Sequence, residues 1–498
     1  MKRFIRLLLL AQGIAARILS NEPVTAGSLA ELDAAIRSLG PGAMVLVSDG
    51  TYETKRPIRI EGKRGTAEAP IVLRAEHRGG ATIGGAAGFV IRDCEHLVLE
   101  GFVFTNDADQ QAVQLVNCRH VRVTRNTFRL SERAKPRHWE HWVTVDGARS
   151  GHNRVDHNLF ERKVNRGSPL FIRGDDEALV CSQHDRVDHN HFRDVVFANG
   201  ENGHETIRTG GNDLGASGRS SFTIIEENLL ERCSGEDEIM SLKSSNNIVR
   251  NNTLLNCRGA ICLRLGNRSV VSGNFIIATD GEPGRGGVKL YGFEHRVFNN
   301  YFLGLTGRRH EAPLALVPGT LDTPSTGNIG KKYDDMTSVA PTRGWIAFNT
   351  WVDCAPLQFG FKKEKERPCI PNGCVFVNNL VVRTRPQSSP LVNLEAARNL
   401  RAHDNLGCVC GPAPTDAWAG WFRFDDPRLR RVGDGLSLWR LTDSSSAIDA
   451  AVEIFPAVAE DVFGHARTGR RDIGAEEFDK VAVTRGPLTS SNVGPDAP

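Results

Sequence analysis

Four charged residues in the middle of the sequence have types and spacing that suit chemistry. Glu236 and Glu238 are two residues apart, so on a β-strand both would point to the same face. Lys243 follows Glu238 by five residues, and Arg264 follows Lys243 by 21. If one coil of a repeat takes that many residues, Arg264 lies beside Lys243 on the next coil, about 5 Å away. Two acids, a lysine and an arginine would then converge on one patch.

This set of side chains suits removal of a proton next to a carboxylate. Two carboxylates with a nearby amide oxygen, such as that of Asn202, form the hard-oxygen site that Ca²⁺ prefers. A bound Ca²⁺ would neutralise a substrate carboxylate, and the surrounding positive charge would prepare Lys243 to act as a base. Arg264 would protonate a leaving oxygen, which completes a β-elimination on a polyuronate. A ladder of surface charges between coils explains the same spacing, so the residues alone leave both interpretations open.

Length and charge bound the classes of function. The chain has 498 residues, enough for several domains or one long repeat array, and its net charge is only +3. This balance gives no overall attraction to nucleic acid or to an anionic membrane. Glycine is abundant at 50 residues, whereas tyrosine and methionine number four each, which favours a protein rich in turns and strands.

The N-terminus resembles a secretory signal. Lys2, Arg3 and Arg6 precede the apolar run 7–10 and a stretch of small residues. The run is too short to span a bilayer. We expect residues 1–24 to be a signal peptide and the protein to be secreted or periplasmic, while the plain N-terminus of a cytosolic protein remains the alternative.

The eleven cysteines give little sign of a metal or disulfide framework. Their number is odd, and none has the paired spacing of a zinc site. Cys369 and Cys374 would be able to close a loop in an oxidising compartment. We expect most of the others to be small buried apolar residues.

A short helix followed by a long repeat organises most of the chain. Ser28 and Glu31 form a capping box before an apolar face, and Gly40 ends the helix, which we expect to cap an open end of the array. Nine later segments share a β-branched run, an asparagine and one or two apolar residues, and the shortest intervals between them are 22, 24 and 26 residues. The asparagines are Asn126, Asn158, Asn190, Asn228, Asn252, Asn274, Asn300, Asn349 and Asn379.

This repeat predicts an all-β fold, a single-stranded right-handed parallel β-helix with the short N-terminal capping helix. Stacked asparagines can hydrogen-bond along the axis at a tight turn, where asparagine tolerates left-handed backbone. We expect one β-helix domain over residues 25–480, with inserted loops at about 305–343 and 361–372. The tail 481–498, rich in Thr, Ser, Gly and Pro, is expected to be disordered.

Several segments between residues 202 and 303 resemble polysaccharide lyase family 6, which contains alginate lyases and chondroitinase B. The resemblance is carried by residues 202–210, 228–244, 263–267, 286–292 and 295–302, and it extends from about residue 25 to the ending 472–478. The family fold is a right-handed parallel β-helix, which agrees with the repeat.

The resemblance implies a role for each residue that matches a family motif. Asn202, Glu236 and Glu238 match the calcium ligands. Lys243 matches the Brønsted base and Arg264 the Brønsted acid. The positions expected to line the substrate groove are Glu205, Arg208, Lys289 and His295.

Three positions depart from the family pattern. Leu265 stands where a histidine commonly follows the catalytic arginine, His204 stands where a glycine is common, and Lys289 replaces a usual arginine. Leu265 removes a polar contact beside the cleaved bond, so these changes bear on substrate preference and rate.

The sequence contains fifteen histidines, and their positions indicate different roles. His157 and His189 fall in repeat turns, where a structural role is expected. The segment 138–142 combines two histidines with two tryptophans, and such an aromatic loop can stack on a sugar ring if it faces the groove. The sequence does not decide whether this segment faces the substrate groove.

The sequence therefore predicts a monomeric, calcium-dependent polysaccharide lyase acting on an anionic polysaccharide, with alginate as the leading substrate and dermatan sulfate as the second. Two rivals remain. A glycoside hydrolase on the same scaffold would need paired acids and no obligatory lysine. A carbohydrate-binding β-helix would bind without turnover.

Overall fold

The computed structural model describes residues 22–498 except 135–136, 199–200, 212–217, 323–337, 363–366, 413, 417, 434–435, 453–454 and 456–457. The described residues form two compact units. The first contains residues 22–210, 221–224 and 489–498, and the second contains most of 211–220 and 225–488. The N-terminal signal predicted over 1–24 lies almost entirely outside the described residues. In the part of the chain that is described, no helix is both long and apolar enough to cross a membrane.

Each unit winds through three parallel sheets, which we call the first, second and third sheet in the order the chain enters them. In the first unit the first sheet contains Val24–Ala26, Met44–Val47, Ile71–Ala75, Leu97–Glu100, Arg122–Thr124, Arg154–Asp156 and Arg186–Asp188. The second sheet contains Gly50–Thr54, Ala81–Gly85, Val103–Phe104, Thr127–Phe128, Leu159–Glu161 and His191–Val195. The third sheet contains Ile58–Glu61, Phe89–Arg92, Val113–Val116, Val143–Asp146, Leu170–Asp175 and Ile207–Thr209, with Val180–Cys181 antiparallel to Leu170–Asp175.

The second unit repeats this arrangement. Its first sheet contains Ile224–Glu226, Ile248–Arg250, Val270–Ser272, Arg296–Phe298, Trp345–Ala347, Val375–Val377 and Arg401–His403. Its second sheet contains Leu229–Cys233, Thr253–Leu255, Phe275–Ile277, Tyr301–Leu303, Thr350–Val352, Leu380–Val382, Asn405–Cys408 and Phe422–Phe424. Its third sheet contains Glu238–Leu242, Gly259–Leu263, Arg285–Leu290, Leu314–Leu316, Leu357–Phe359 and Val392–Leu394. Arg430–Val432 and Leu438–Arg440 form a separate antiparallel pair, and Arg309–Glu311 and Ala419–Trp421 are short 3₁₀ turns. The predicted parallel β-helix is confirmed.

The α-helix Leu29–Arg37 lies against the first two strands of the first sheet. The Ser28 Oγ accepts a hydrogen bond from the Glu31 amide, and the Glu31 carboxylate accepts one from the Gly27 amide. This reciprocal capping is what the sequence predicts, and the helix buries Leu32 and Ile36.

The repeated asparagines are fully buried and hydrogen-bonded from coil to coil. In the second unit the Asn274 Oδ1 accepts from the amide and the Nδ2 of Asn252, while the Asn274 Nδ2 donates to the Asn300 Oδ1 at 2.9 Å and to two backbone carbonyls. The left-handed backbone belongs to the residue before each ladder asparagine, for example Asn251 with φ 55°. The tolerance of asparagine for left-handed backbone is therefore not used at the ladder positions themselves, whose side chains bridge neighbouring coils.

The C-terminal tail, the cysteines and the predicted insertion 305–343 each differ from what the sequence indicates. Residues 489–498 follow a defined path in the first unit, where the Arg125 guanidinium donates to the carbonyls of Pro495 and Ala497. Hydrogen bonds from this side chain to the backbone therefore hold the end of a tail that was expected to be disordered. All eleven cysteines are free thiols, so Cys369 and Cys374 do not form the bridge considered above. The predicted insertion 305–343 includes a regular third-sheet strand, Leu314–Leu316.

Candidate active site

Adjacent rungs of the second unit's third sheet carry the predicted base and acid. Ser241 pairs with Cys262 in the parallel register, an offset of 21 residues. Two positions further along, the Arg264 amide donates to the Leu242 carbonyl at 3.0 Å. This register sets Lys243 and Arg264 beside each other, as the spacing in the sequence predicts.

Glu238 lies among cations at the start of this strand. Its Oε1 is 3.6 Å from the Arg264 Nε and 3.4 Å from the Lys289 Nζ, and its Oε2 accepts a hydrogen bond from the Ser241 Oγ at 2.6 Å. Burial alone would raise the pKa of the Glu238 carboxyl, but Lys289, Arg264 and Lys243 together hold that pKa well below its ordinary value. The carboxylate is therefore held in its charged form.

Lys289 is part of this cluster and is only 3% exposed. Burial would lower the pKa of its ammonium, but the Glu238 carboxylate raises it above the ordinary value. Its Nζ is directed to Glu238, so the structure gives Lys289 an internal ion pair in place of the substrate contact that the resemblance implies.

Tyr291 supports the arginine from the next rung. Its amide donates to the Leu263 carbonyl, and the Arg264 guanidinium carbon lies 4.9 Å from the Tyr291 ring centroid. Arg367, within the second predicted insertion, lies over the same ring at 5.7 Å. Burial raises the pKa of the Tyr291 hydroxyl although Lys289 and Arg264 oppose this, so the phenol remains neutral. The aromatic ring is thus in cation–π contact with two guanidiniums.

Glu236 reaches the site by a different path from the one predicted. It lies in a bend before the strand, not on the strand with Glu238. The register then shifts between Glu238 and Met240, which leaves Ile239 as an extra residue. A β-bulge of this kind changes the direction in which neighbouring side chains point. Glu236 is nevertheless buried, with 5% exposure.

Asp237, between the two predicted ligands, faces another partner. Burial and the Asp237 carboxylate raise the pKa of Glu311 to about 7, and the Glu311 Oε1 lies 3.2 Å from the Arg258 Nε. Asp237 therefore interacts with Glu311, whereas Glu238 interacts with Arg264 and Lys289.

His295 fixes the turn that follows Arg264. Its Nδ1 accepts a hydrogen bond from the Ser269 amide at 3.0 Å, and its Nε2 is 3.1 Å from the Gly266 carbonyl. Burial lowers the pKa of the imidazole to about 4, so the ring is neutral. Both nitrogens serve the backbone and the ring is 2% exposed, which makes His295 a positioning residue and not the groove contact that was predicted. A Cβ at Gly266 would lie 1.8 Å from the Ser244 carbonyl oxygen, so only glycine fits this turn.

Leu265, the departure next to Arg264, is a buried apolar residue. It is 7% exposed, and its amide is 3.4 Å from the Leu242 carbonyl. Its side chain offers no hydrogen bond to a substrate. The polar contact that the resemblance implies beside Arg264 is therefore lost, because the Leu265 side chain is apolar.

The remaining predicted residues belong to the first unit. Arg208 lies on the strand Ile207–Thr209, with its guanidinium 4.6 Å from the Phe171 ring centroid and 3.8 Å from the Glu205 carboxylate. Both Glu205 and Arg208 are buried. The Asn202 carbonyl accepts a hydrogen bond from the Arg166 Nε at 2.8 Å. His204, the second departure, is fully buried, and burial lowers the pKa of its imidazole to about 3.

The aromatic segment 138–142 divides between surface and core. Trp139 is 45% exposed, packs over Gly203 and carries the Arg166 guanidinium at 5.0 Å, whereas Trp142 is fully buried. A Cβ at Gly203 would lie 2.7 Å from the Trp139 ring, so a glycine beside Asn202 is required for this contact. Trp139 is thus the tryptophan of the segment that is exposed and able to stack on a sugar.

Sequence reasoning missed Ser241, Cys262 and Tyr291. Ser241 fixes Glu238, Cys262 lies between Ser241 and Lys289 in register, and Tyr291 supports Arg264. A signal existed for Tyr291, because it follows Lys289 by two residues and residues two apart share a face of a strand. Nothing in the sequence marks Ser241, since serine is common in strands that carry no chemistry.

The donor set in the second unit is compatible with calcium. Glu236 and Glu238 offer hard carboxylate oxygens, and Glu238 is held in its charged form. The neighbouring Lys243, Arg264 and Lys289 already balance this charge, so a cation would bind most strongly together with an anionic substrate.

A sequence model of the family described as Chondroitinase B matches residues 26–408, well over half of the chain. Among solved structures, the family 6 alginate lyase AlyGC is 25% identical, with a TM-score of 0.71 over 88% of this chain and 60% of its own length. The present chain thus spans about 60% of that alginate lyase. The comparison with curated protein sequences gives no match.

Two further structures share the fold. A mannuronic acid specific family 6 lyase from human gut microbiota is 24% identical, with a TM-score of 0.66 over 83% of this chain and 92% of its own. A family 6 alginate lyase in complex with a trisaccharide is 19% identical, with a TM-score of 0.66 over 95% of both chains. Together with the long sequence match, these likenesses show that the chain belongs to the chondroitinase B family, within polysaccharide lyase family 6.

Proposed function

We propose that this protein is a calcium-dependent lyase that cleaves a uronate polymer by β-elimination. The observation that carries the proposal is the register that sets Lys243 beside Arg264, next to a largely enclosed and charged Glu238. A base and an acid on adjacent rungs, about 5 Å apart, can reach two neighbouring atoms of one sugar. Family membership and the similarity to alginate lyases support this assignment.

The residues of this chain divide the reaction between them. Lys243 removes the proton from C5 of the uronate, the C4–O bond breaks, and Arg264 donates a proton to the departing oxygen. The product carries a double bond between C4 and C5. Glu238 and Tyr291 hold the Arg264 guanidinium in place. In the second unit, Glu236 and Glu238 would hold calcium, which would supply positive charge to neutralise the substrate carboxylate.

We take alginate as the substrate and dermatan sulfate as the second candidate. AlyGC and a lyase specific for mannuronic acid are among the similar structures, which favours alginate. The description of the matching family, Chondroitinase B, is the observation that favours dermatan sulfate. We further propose that the protein acts outside the cytoplasm as a monomer, since its substrate is a large extracellular polymer.

Ultraviolet absorbance tests the proposal directly. Purified protein is mixed with alginate and, separately, with dermatan sulfate in the presence of calcium, beside a Lys243→Ala control. We expect absorbance from the conjugated double bond to rise with alginate and to stay flat in the control. New reducing ends without absorbance would identify a hydrolase, and neither signal would identify a binding protein.

Chelation tests the metal. Stripping divalent cations should abolish the absorbance rise, and adding Ca²⁺ should restore it, because the substrate carboxylate would otherwise remain uncompensated. Mg²⁺ serves as the matched control, since it prefers a smaller octahedral site. Full activity in the presence of chelator would show that the reaction does not require calcium.

A further inference from the structure

A second charged groove lies on the first sheet of the second unit, apart from the candidate active site on the third sheet. Its volume is about 480 Å³. The residues that line it and carry the argument are Asn246, Arg268, Glu294, Arg296, Arg343 and Trp345. None of them is used by the proposed elimination.

Three arginines face one glutamate in this groove, so it retains positive charge. The Glu294 carboxylate lies 2.8 Å from the Arg343 Nη2 and 3.9 Å from the Arg268 Nη1. Both guanidiniums also lie over the Phe293 ring, at 5.9 and 5.2 Å. Glu294 and Phe293 thus hold Arg268 and Arg343 in fixed orientations while they remain exposed.

Arg296 and Trp345 form a second wall. They are partners in the parallel register, and the Arg296 guanidinium lies 5.5 Å from the Trp345 ring centroid. In the part of the chain that the structure describes, Arg296 makes no ion pair. The Trp345 ring packs edge-on against Phe455 at 4.9 Å and is still 39% exposed. A large aromatic ring is therefore held rigid and presented to solvent.

This combination matches the chemistry of a carboxylated sugar. A planar guanidinium binds a carboxylate through two parallel hydrogen bonds. An exposed indole offers a flat apolar surface on which the face of a sugar ring can stack. A groove of this size lies within the range of ordinary ligand sites and holds a short oligosaccharide.

We infer that this groove is a non-catalytic binding site for uronate oligosaccharides. The choice of uronate rests on the proposed function, because a lyase that degrades a long polymer gains affinity when a second site holds the same chain. The carboxylate lies between Arg296 and the Arg268–Arg343 pair, and the sugar ring lies on Trp345. The site raises the affinity for polymer and takes no part in bond cleavage.

Calorimetric titration of the Lys243→Ala protein, which binds without turnover, tests the inference. The ligand is a mannuronate trisaccharide, and the β-1,4-mannose trisaccharide, which lacks carboxylates, is its matched control. We expect two equivalents of mannuronate per chain, and one equivalent after Trp345→Ala or Arg296→Ala is added. The neutral sugar should not bind at the groove.

Arg401→Ala is the control variant, because Arg401 is an exposed arginine of the same sheet outside the groove. It should leave both equivalents in place. In the wild-type background, Trp345→Ala should keep kcat on short oligomers and raise KM on long polymer several-fold. If both groove variants still bind two equivalents, or if the parent binds only one, the inference is wrong.

The outcomes separate this inference from the proposed function. Absorbance from wild type, with binding unaffected by the groove variants, would retain the lyase and reject the groove. Loss of one equivalent in the groove variants, with no absorbance from wild type on any uronate polymer, would retain the groove and reject the lyase.

Discussion

Two buried polar arrays in the second unit use hydrogen bonds in opposite ways. The asparagine ladder runs through Asn228, Asn252, Asn274 and further coils, and each Oδ1 accepts from the amide and side chain of the preceding ladder member. The cluster around Glu238 occurs once and gathers three cations around one carboxylate. The ladder is neutral and repeated, whereas the cluster is charged and confined to three rungs.

This difference indicates that the asparagine ladder stabilises the fold and that the cluster around Glu238 serves the chemistry. A buried amide with all its partners costs little and ties neighbouring coils together. A buried group of charges is costly to desolvate, and carboxyls with strongly shifted pKa values are concentrated at functional sites. Repetition therefore marks the scaffold, and the break in repetition, with its β-bulge at Ile239, marks the candidate active site.

The substitution Lys243→Ala should distinguish the two arrays most clearly, because it should lower activity without lowering stability. Loss of a general base lowers turnover by about 10²–10⁴-fold, whereas the coil-to-coil bonds of the ladder remain. We therefore expect activity to fall by this factor while the melting temperature stays close to that of wild type. Lys480→Ala, at an exposed position, should change neither quantity. A variant that melts early, or one that stays active, would contradict the assignment.

The opposite effect is expected from Asn274→Ala. It removes the acceptor for two donors of Asn252 and the side-chain donor to Asn300, so each orphaned group costs about 1–3 kcal/mol. The free energy of unfolding in urea should fall by several kcal/mol, while the folded protein keeps its kcat. Ser272→Ala, two residues earlier, should stay within about 0.5 kcal/mol of wild type. Equal unfolding curves for the two variants would show that the ladder is not the scaffold.

The pH dependence of stability tests His295. Its pKa is about 4 in the fold, below the ordinary value of 6.5, so its contribution is complete above pH 6.5 and is lost as pH falls toward 4. His295→Gln keeps an acceptor and a donor but does not titrate. Relative to this variant, wild type should lose up to about 3 kcal/mol between pH 6.5 and pH 4. Parallel stability curves would mean that His295 does not hold the turn after Arg264, and the exposed His77→Gln is the control.

The first unit contains a second coil-to-coil stack, separate from the asparagine ladder, in which a buried carboxylate accepts from the amide of the preceding coil. The Asp185 carboxylate accepts from the amide and Nδ2 of Asn153 at 2.8 and 3.1 Å, and burial raises its pKa to about 6. Because this pKa is raised from 3.8, stability is lost as pH rises through 6. Asp185→Asn should therefore stabilise the protein by about 1–3 kcal/mol at pH 8, with no gain near pH 4. Thermal unfolding at the two pH values measures this, and a variant that is less stable at pH 8 would contradict it.

Periodic features of the fold were predictable from the sequence. The asparagine intervals gave the β-helix, the capping box gave the helix Leu29–Arg37, and the 21-residue offset gave the adjacency of Lys243 and Arg264. Each is a local or strictly repeated pattern, which a single sequence contains in full. The family resemblance added roles to these positions.

Features that depend on long-range contact were not predictable. Glu236 lies in a bend before the strand, the bulge at Ile239 follows Glu238, and the two ring nitrogens of His295 bond to a turn 26 to 29 residues earlier. The tail is ordered by Arg125, which lies about 370 residues away in sequence. Such contacts follow from how coils stack, and residue type alone does not specify them.

The central claim is that the Lys243–Arg264 pair performs an elimination. The most direct measurement is the ratio of unsaturated ends, from absorbance, to new reducing ends when wild-type protein cleaves alginate with calcium present. The account predicts one unsaturated end for every new reducing end, and neither product from Lys243→Ala. Reducing ends without unsaturated ends, or an equal ratio from Lys243→Ala at the wild-type rate, would contradict it.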